Sequence, residues 1–153
     1  LFIPSIALIT RPFADPYGEQ FMGMTPLFHN FDKAPTHVAP FSHAAEAGGW
    51  IQLTGQMPTD PDDDTAPLPD GIEAQTRRVM DNLIIVLNEL GLGLEQVLSC
   101  RAYLTHFERD YQKMNETYRS YFPADRLPAR TCIGVTGLAR GALVEIDMVA
   151  LRG

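Results

Sequence analysis

Two charged residues near the end of the chain have the types and the spacing to do chemistry. Arg130 lies in the run PARTC, and Glu145 lies in the run VEI. Each is a lone charge in a short apolar, β-branched stretch that predicts a strand, where an unpaired charge is costly to bury. A guanidinium presents forked donors that fit a carboxylate, and a carboxylate can orient water or move protons. The pair therefore indicates a small polar site in an apolar wall.

The placement of this pair in the predicted sheet leaves two interpretations open. Residues two apart in a strand share a face, so Arg130 goes with Cys132 and Glu145 goes with Asp147. If helices cover the apolar row of the last strand, we expect Arg130 and Glu145 on the opposite face, on adjacent strands. The pair is then either an ordinary cross-strand ion pair, which stabilises little, or part of a binding site.

The elements that position these residues follow from hydrophobic periodicity and turn signals. The pattern predicts a hairpin over 41–56, a helix over 72–90, a strand over 97–105, a helix over 110–122, and strands over 129–135 and 143–151. In the first helix the stripe Val79, Leu83, Val86 and Leu90 is typical of a helix that lies on a sheet. The order β-β-α-β-α-β-β predicts an α+β fold, a single mixed sheet with two helices packed on one face.

The chain divides at residue 33. Residues 1–33 contain four prolines among six aromatic residues and show no period, which predicts an irregular N-terminal arm. Residues 34–153 form the predicted domain, and a chain of 153 residues is most simply one such domain. The opening run Leu1–Ile9 is short, contains a proline and has no basic leader, so we do not expect it to be a signal peptide.

Composition excludes several classes of partner. The net charge is −7 and no basic stripe appears, which argues against nucleic-acid binding. No apolar run approaches the ~20 residues of a membrane span. The cysteines Cys100 and Cys132 form no C-x-x-C pair, so we expect reduced core thiols and a cytoplasmic protein.

No metal or cofactor site is expected from the motifs. The four histidines lack zinc-ligand spacing. Asp60, Asp62 and Asp64 resemble the start of a calcium loop, but Thr65 and Gly71 stand where glycine and glutamate are required. The glycines near residue 91 follow a predicted helix, whereas a dinucleotide-binding motif opens one.

The residues around Arg130 and Glu145 also resemble the C-terminal signature of the Rid family, the reactive intermediate deaminases, also called YjgF-like or L-PSP proteins. The resemblance spans 34–152 and includes TGQMP at 54–58, the run 75–91 and MNETY at 114–118. It implies a chorismate-mutase-like fold, a homotrimer with sites between subunits, and no cofactor.

The resemblance also implies an activity. Rid proteins hydrolyse reactive enamines and imines such as 2-aminoacrylate to 2-keto acids and ammonia. Arg130 would bind the carboxylate of the small-molecule substrate, and Glu145 would orient or deprotonate the catalytic water. The implied substrate-binding residues are Phe41, Thr54, Gly55, Asn115 and Cys132. Phe41 stands where the family often has a tyrosine whose hydroxyl reaches the site, which leaves a larger, more apolar substrate as an option.

Two alternative functions remain open from the sequence. A non-catalytic Rid-fold protein that binds small carboxylates would need only Arg130, and Phe41 fits it slightly better because phenylalanine cannot donate a hydrogen bond. Ribonuclease activity has been attached to the family, but the acidic balance of this chain makes it the least favoured. Cys132 is expected to be a packed thiol and not a nucleophile.

Overall fold

Six strands and two helices are found in the computed structural model, which describes residues 25–153. The strands are β1 (Leu27–His29), β2 (Ala44–Ala47), β3 (Trp50–Gln56), β4 (Val97–Leu104), β5 (Ala129–Gly134) and β6 (Val144–Leu151). The helices are α1 (Gly71–Glu89) and α2 (Phe107–Arg119). The predicted β-β-α-β-α-β-β order is confirmed from β2 onwards, and β1 adds a further strand before it.

All six strands belong to one mixed sheet in the order β1-β2-β3-β6-β4-β5. The β4–β5 pair is parallel and the other pairs are antiparallel. Helix α2 carries the chain from β4 back to the start of β5, as a parallel connection requires. Strand β6 then fills the space between β3 and β4. Strands β5 and β6 are therefore not neighbours, and the prediction that Arg130 and Glu145 lie on adjacent strands is wrong.

Both helices pack on one face of the sheet, as predicted. The stripe Val79, Leu83 and Val86 of α1 is fully buried against β3 and β6, where Leu53 and Met148 are also fully buried. Burial of each such side chain stabilises the fold by about 1.5–3 kcal/mol. The residue after the helix cap, Gly91, has a φ of 72°, the left-handed conformation that ends many helices.

The sheet extends into the segment that the sequence assigned to the arm. Strand β1 pairs antiparallel with β2, and Phe31 packs against the hydrophobic core. Residues 1–24, with the run Leu1–Ile9, lie outside the described residues. Between residues 25 and 153, no helix has both the length and the apolar character that a membrane crossing needs. The same residues contain no group of three or more His, Cys, Asp or Glu side chains that could hold a metal ion.

Candidate functional site

Strand register places Arg130 and Glu145 on opposite faces of the sheet. Arg130 pairs with Cys100, which is 2% exposed beneath the helices. Glu145 pairs with Tyr103, whose side chain lies on the face that the helices leave open. Paired residues point to the same side of a sheet, so the two charges point away from each other. Within one chain, the expectation that they share the open face is therefore wrong.

On the helix-covered face, Arg130 lies in a cavity between β5 and α2. Its Nη2 donates a hydrogen bond of 2.5 Å to Oδ1 of Asn115, and its Cζ lies 4.7 Å from the ring centroid of Tyr118. The cavity has a volume of about 340 Å³. Its lining residues are Asn115, Tyr118, Arg119, Leu127, Pro128 and Arg130. We call these six residues the arginine cluster.

The arginine cluster is electrostatically unbalanced. It contains Arg119 and Arg130 but no acidic side chain, and neither arginine forms a salt bridge within residues 25–153. By contrast, Arg101 and Arg152 are both paired with carboxylates. Partial burial of a guanidinium without an acid partner costs free energy, because the charge loses water and gains no counter-charge. The cluster is therefore suited to binding an anion from outside the chain.

Cys132 follows Arg130 by two residues on the same face and is half-buried. Burial raises the pKa of the Cys132 thiol, and the charge of Arg130 opposes this only in part. A thiol with a raised pKa is protonated at neutral pH and is a poor nucleophile. The geometry is consistent with a packed thiol beside the arginine cluster.

On the open face, Glu145 lies in a second cavity of about 220 Å³. Among its lining residues are Val38, Phe41, Thr54, Gly55, Met57 and Glu145, which we call the glutamate cluster. A Cβ atom on Gly55 would lie 2.3 Å from Oε1 of Glu145, so the carboxylate occupies the space that any other residue would fill. Gly55 therefore allows the close approach of the acid to the backbone of β3.

Two further contacts shape the glutamate cluster. Thr54 connects the end of β3 to the segment before β2 through two hydrogen bonds. Its amide donates to the carbonyl of His43 at 3.0 Å, and its hydroxyl donates to the carbonyl of Ser42 at 2.6 Å. Phe41 supplies an apolar ring to the wall, with its centroid 5.2 Å from that of His37. The wall around the carboxylate is accordingly more apolar than polar.

The pKa of Glu145 is raised, first by burial and second by the negative charge of Asp147. Asp147 lies two residues along β6 on the same face and is held by Nε of Arg101 at 2.9 Å and by the hydroxyl of Tyr103 at 3.2 Å. A carboxylic acid with a raised pKa can take and return a proton near neutral pH more readily than an ordinary glutamate.

Comparison with known proteins gives the family. A family model described as Endoribonuclease L-PSP matches residues 31–152. A RutC family protein of Pyrococcus abyssi is 36% identical over 122 residues, which cover 79% of this chain and 93% of the relative.

The chain belongs to the Rid family.

A further relative and a solved structure are similar to this chain in sequence and in fold. Protein DfrA of Myxococcus xanthus is 40% identical over 123 residues, which cover 78% of this chain and 91% of that protein. The solved structure of YyfA, a Rid family protein of Yersinia pestis, superposes with a TM-score of 0.76 at 30% identity and covers 84% of this chain and 100% of its own.

In this Rid protein the predicted site residues form two groups. Asn115, Cys132 and Arg130 lie together on the helix side, whereas Phe41, Thr54, Gly55 and Glu145 lie together on the open side. Sequence reasoning did not assign roles to Tyr118, Arg119 or Asp147. The helical spacing of Asn115 and Tyr118, three residues apart, was the signal that could have placed Tyr118 on the same face.

Proposed function

We propose that this Rid protein hydrolyses enamine and imine intermediates of the 2-aminoacrylate type to 2-keto acids and ammonia. The site would be shared, with Arg130 from one copy and Glu145 from the neighbouring copy. The observation that carries the proposal is the placement of an unpaired arginine and a half-buried glutamate on opposite faces of one sheet. Each lines a separate cavity, so a second copy is needed to bring them together.

The chemistry follows from the properties of the two groups. The guanidinium of Arg130 would bind the substrate carboxylate with two parallel hydrogen bonds. The imine would react as its nitrogen-protonated form. Glu145 would take a proton from water while the water oxygen bonds to the imine carbon and the carbon–nitrogen π electrons move to nitrogen, which leaves a neutral amino alcohol. Glu145 would then return its proton to the amino nitrogen, the carbon–nitrogen bond would break as the carbonyl forms, and the hydroxyl proton would leave with the ammonia as ammonium. The imine carbon is already electrophilic, so positioning and proton transfer supply the catalysis.

The assembly in this proposal is a homotrimer, which the family resemblance implies. The open face of the sheet exposes Phe28 and Trp50, which are 67% and 57% accessible in the single chain. Large exposed apolar side chains on one face support burial against further copies. The free cysteines Cys100 and Cys132 are consistent with the reducing cytoplasm that we propose as the location.

Phe41 favours a second candidate function, the binding of small carboxylates without turnover. The glutamate cluster presents an apolar ring at this position, which cannot donate a hydrogen bond to a reacting nitrogen or water. The arginine cluster alone would bind such a ligand. The two candidates differ in whether Glu145 is needed.

The test is turnover of a freshly generated imine. A pyridoxal-phosphate dehydratase acting on serine would supply 2-aminoacrylate, and keto acid release would be followed with and without the Rid protein. We expect acceleration by the parent, its loss in Arg130→Ala, and its retention in Arg77→Ala, an exposed arginine outside both clusters. No acceleration by the parent, together with pyruvate binding that depends on Arg130, would support the second candidate instead.

A further inference from the structure

The guanidinium of Arg130 rests on an aromatic ring. Its Cζ is 4.7 Å from the centroid of the Tyr118 ring, which is within the range of an attractive contact between a cation and a ring face. Asn115, one helical turn earlier on α2, accepts a hydrogen bond from Nη2. Two side chains of one helix therefore fix the plane and the direction of a guanidinium that belongs to another element.

The ring itself is held firmly. Tyr118 is 4% exposed, and its ring centroid lies 5.0 Å from that of Phe122, one turn further along the chain. Its hydroxyl is buried and has no hydrogen-bond partner within the described residues; burial, and after it the neighbouring Cys100 thiol, raises the pKa of this hydroxyl. Because the guanidinium lies over the ring and the hydroxyl makes no hydrogen bond to it, the part of Tyr118 that contacts Arg130 is the ring.

These contacts leave most of the guanidinium available. An arginine side chain has five N–H donors, and Asn115 accepts from one of the terminal nitrogens. The cavity lining contains no acidic group that would accept from the remaining donors. A guanidinium held in one orientation before a ligand arrives loses less entropy on binding than a free one.

We propose that Tyr118 is a positioning residue for carboxylate binding, acting through the ring that supports Arg130. The proposal rests on the role of Arg130 in the proposed function, and it extends that role to a residue that would not touch the substrate. Loss of the ring should weaken the binding of the carboxylate and leave the proton transfers at Glu145 unchanged.

The experiment compares Tyr118→Phe with Tyr118→Leu in the full chain. Tyr118→Phe keeps the ring and should retain the KM of the parent, whereas Tyr118→Leu should raise KM roughly three- to thirtyfold with little change in kcat. Tyr121→Leu is the matched control, because Tyr121 lies near the same end of α2 and its hydroxyl bonds to Asp81 on the other helix. The control should leave KM unchanged.

A binding measurement separates this proposal from the enzymatic one. Calorimetric titration with pyruvate tests the arginine cluster even in a protein that does not turn over imines, and Tyr118→Leu should weaken pyruvate binding by the same factor as it raises KM. If Tyr118→Leu does not fold, Tyr118→Met supplies an unbranched replacement of similar reach. Equal pyruvate affinity in the ring-deleted variant and the parent would overturn the proposal, as would an equal loss in Tyr118→Phe.

Discussion

The Glu145 carboxylate lies against the backbone of Gly55, on the strand beside its own, so closely that a Cβ there would come within 2.3 Å of Oε1. The contact fixes the position of the carboxylate, which extends over β3 and towards the apolar wall that contains Phe41. Gly55 has no reactive side chain, but its lack of a Cβ allows the carboxylate to take this position.

Replacing Gly55 by alanine should therefore impair turnover without unfolding the protein. The new methyl group would displace the flexible end of Glu145 by an ångström or more, and a displacement of about 1 Å can cost roughly a hundredfold in kcat. The measurement is kcat of Gly55→Ala with the thermal midpoint recorded in parallel. Gly137→Ala is the control, because a Cβ there would meet nothing within 4 Å. An unchanged kcat in Gly55→Ala would show that the position of the carboxylate is unimportant.

The dependence of turnover on pH should report the raised pKa of Glu145. If the ionised carboxylate takes the proton from water, kcat/KM falls as pH drops through this pKa, so the acidic limb should lie above the ordinary value of 4.5. Removing the nearby charge by Asp147→Asn should move that limb to lower pH. Glu108→Gln, an exposed acid on α2, should leave the profile unchanged. A limb that stays in place in Asp147→Asn would contradict the assignment to Glu145.

The same raised pKa predicts a gain in stability when the acid is removed. A carboxyl group whose pKa is higher in the folded than in the unfolded state stabilises the fold below its unfolded pKa and loses that contribution as pH rises through the folded value. Glu145→Gln should therefore raise the thermal midpoint at pH 7, where each 1 kcal/mol gained moves the midpoint of a domain of this size by roughly 2–4 °C. The gain should shrink below pH 4.5, the ordinary glutamate value. Calorimetric scans at both pH values measure this, and a lower midpoint for the variant at pH 7 would contradict it.

If the site is shared between copies, a mixture of two inactive variants should regain activity. Arg130→Ala and Glu145→Gln would each lose one half of the proposed site, but a mixed oligomer would contain interfaces in which both intact halves meet. After equal amounts are unfolded together and refolded, about one quarter of the parent activity should return, because random assembly gives one intact interface in four. Each variant refolded alone is the control. No recovery from a mixture shown to contain mixed oligomers would contradict a site that combines Arg130 of one copy with Glu145 of another.

Arg119 should assist carboxylate capture through its charge. It lines the same cavity as Arg130 and has no carboxylate partner within residues 25–153, so it adds positive potential on a protein whose net charge is −7. Arg119→Gln should lower kcat/KM roughly two- to fivefold at low salt, and the difference should fade as salt screens the charge. Arg77→Gln is the matched control. A loss that is equal at low and high salt would indicate a direct contact and not steering.

Much of the fold could be predicted because its signals are local. The stripe from Val79 to Leu90 has a helical period that only burial against another surface explains, and the Gly48-Gly49 pair supplies the positive φ angles that a tight hairpin turn needs. The types of the candidate site residues were equally evident, because a lone arginine and a lone glutamate in apolar strand-like runs are costly to bury and therefore indicate a site. Strand β1 was missed because three residues carry too weak a pattern.

The chain order of the strands did not determine their order in the sheet. Two strands that follow each other in sequence can pair or can be separated, and here β4 lies between β5 and β6 because the α2 connection returns the chain parallel to β4. A shift of one residue in register reverses the face of every side chain in a strand. The sequence by itself determined which residues carry the charge; long-range strand pairing alone decided that Arg130 and Glu145 face opposite ways.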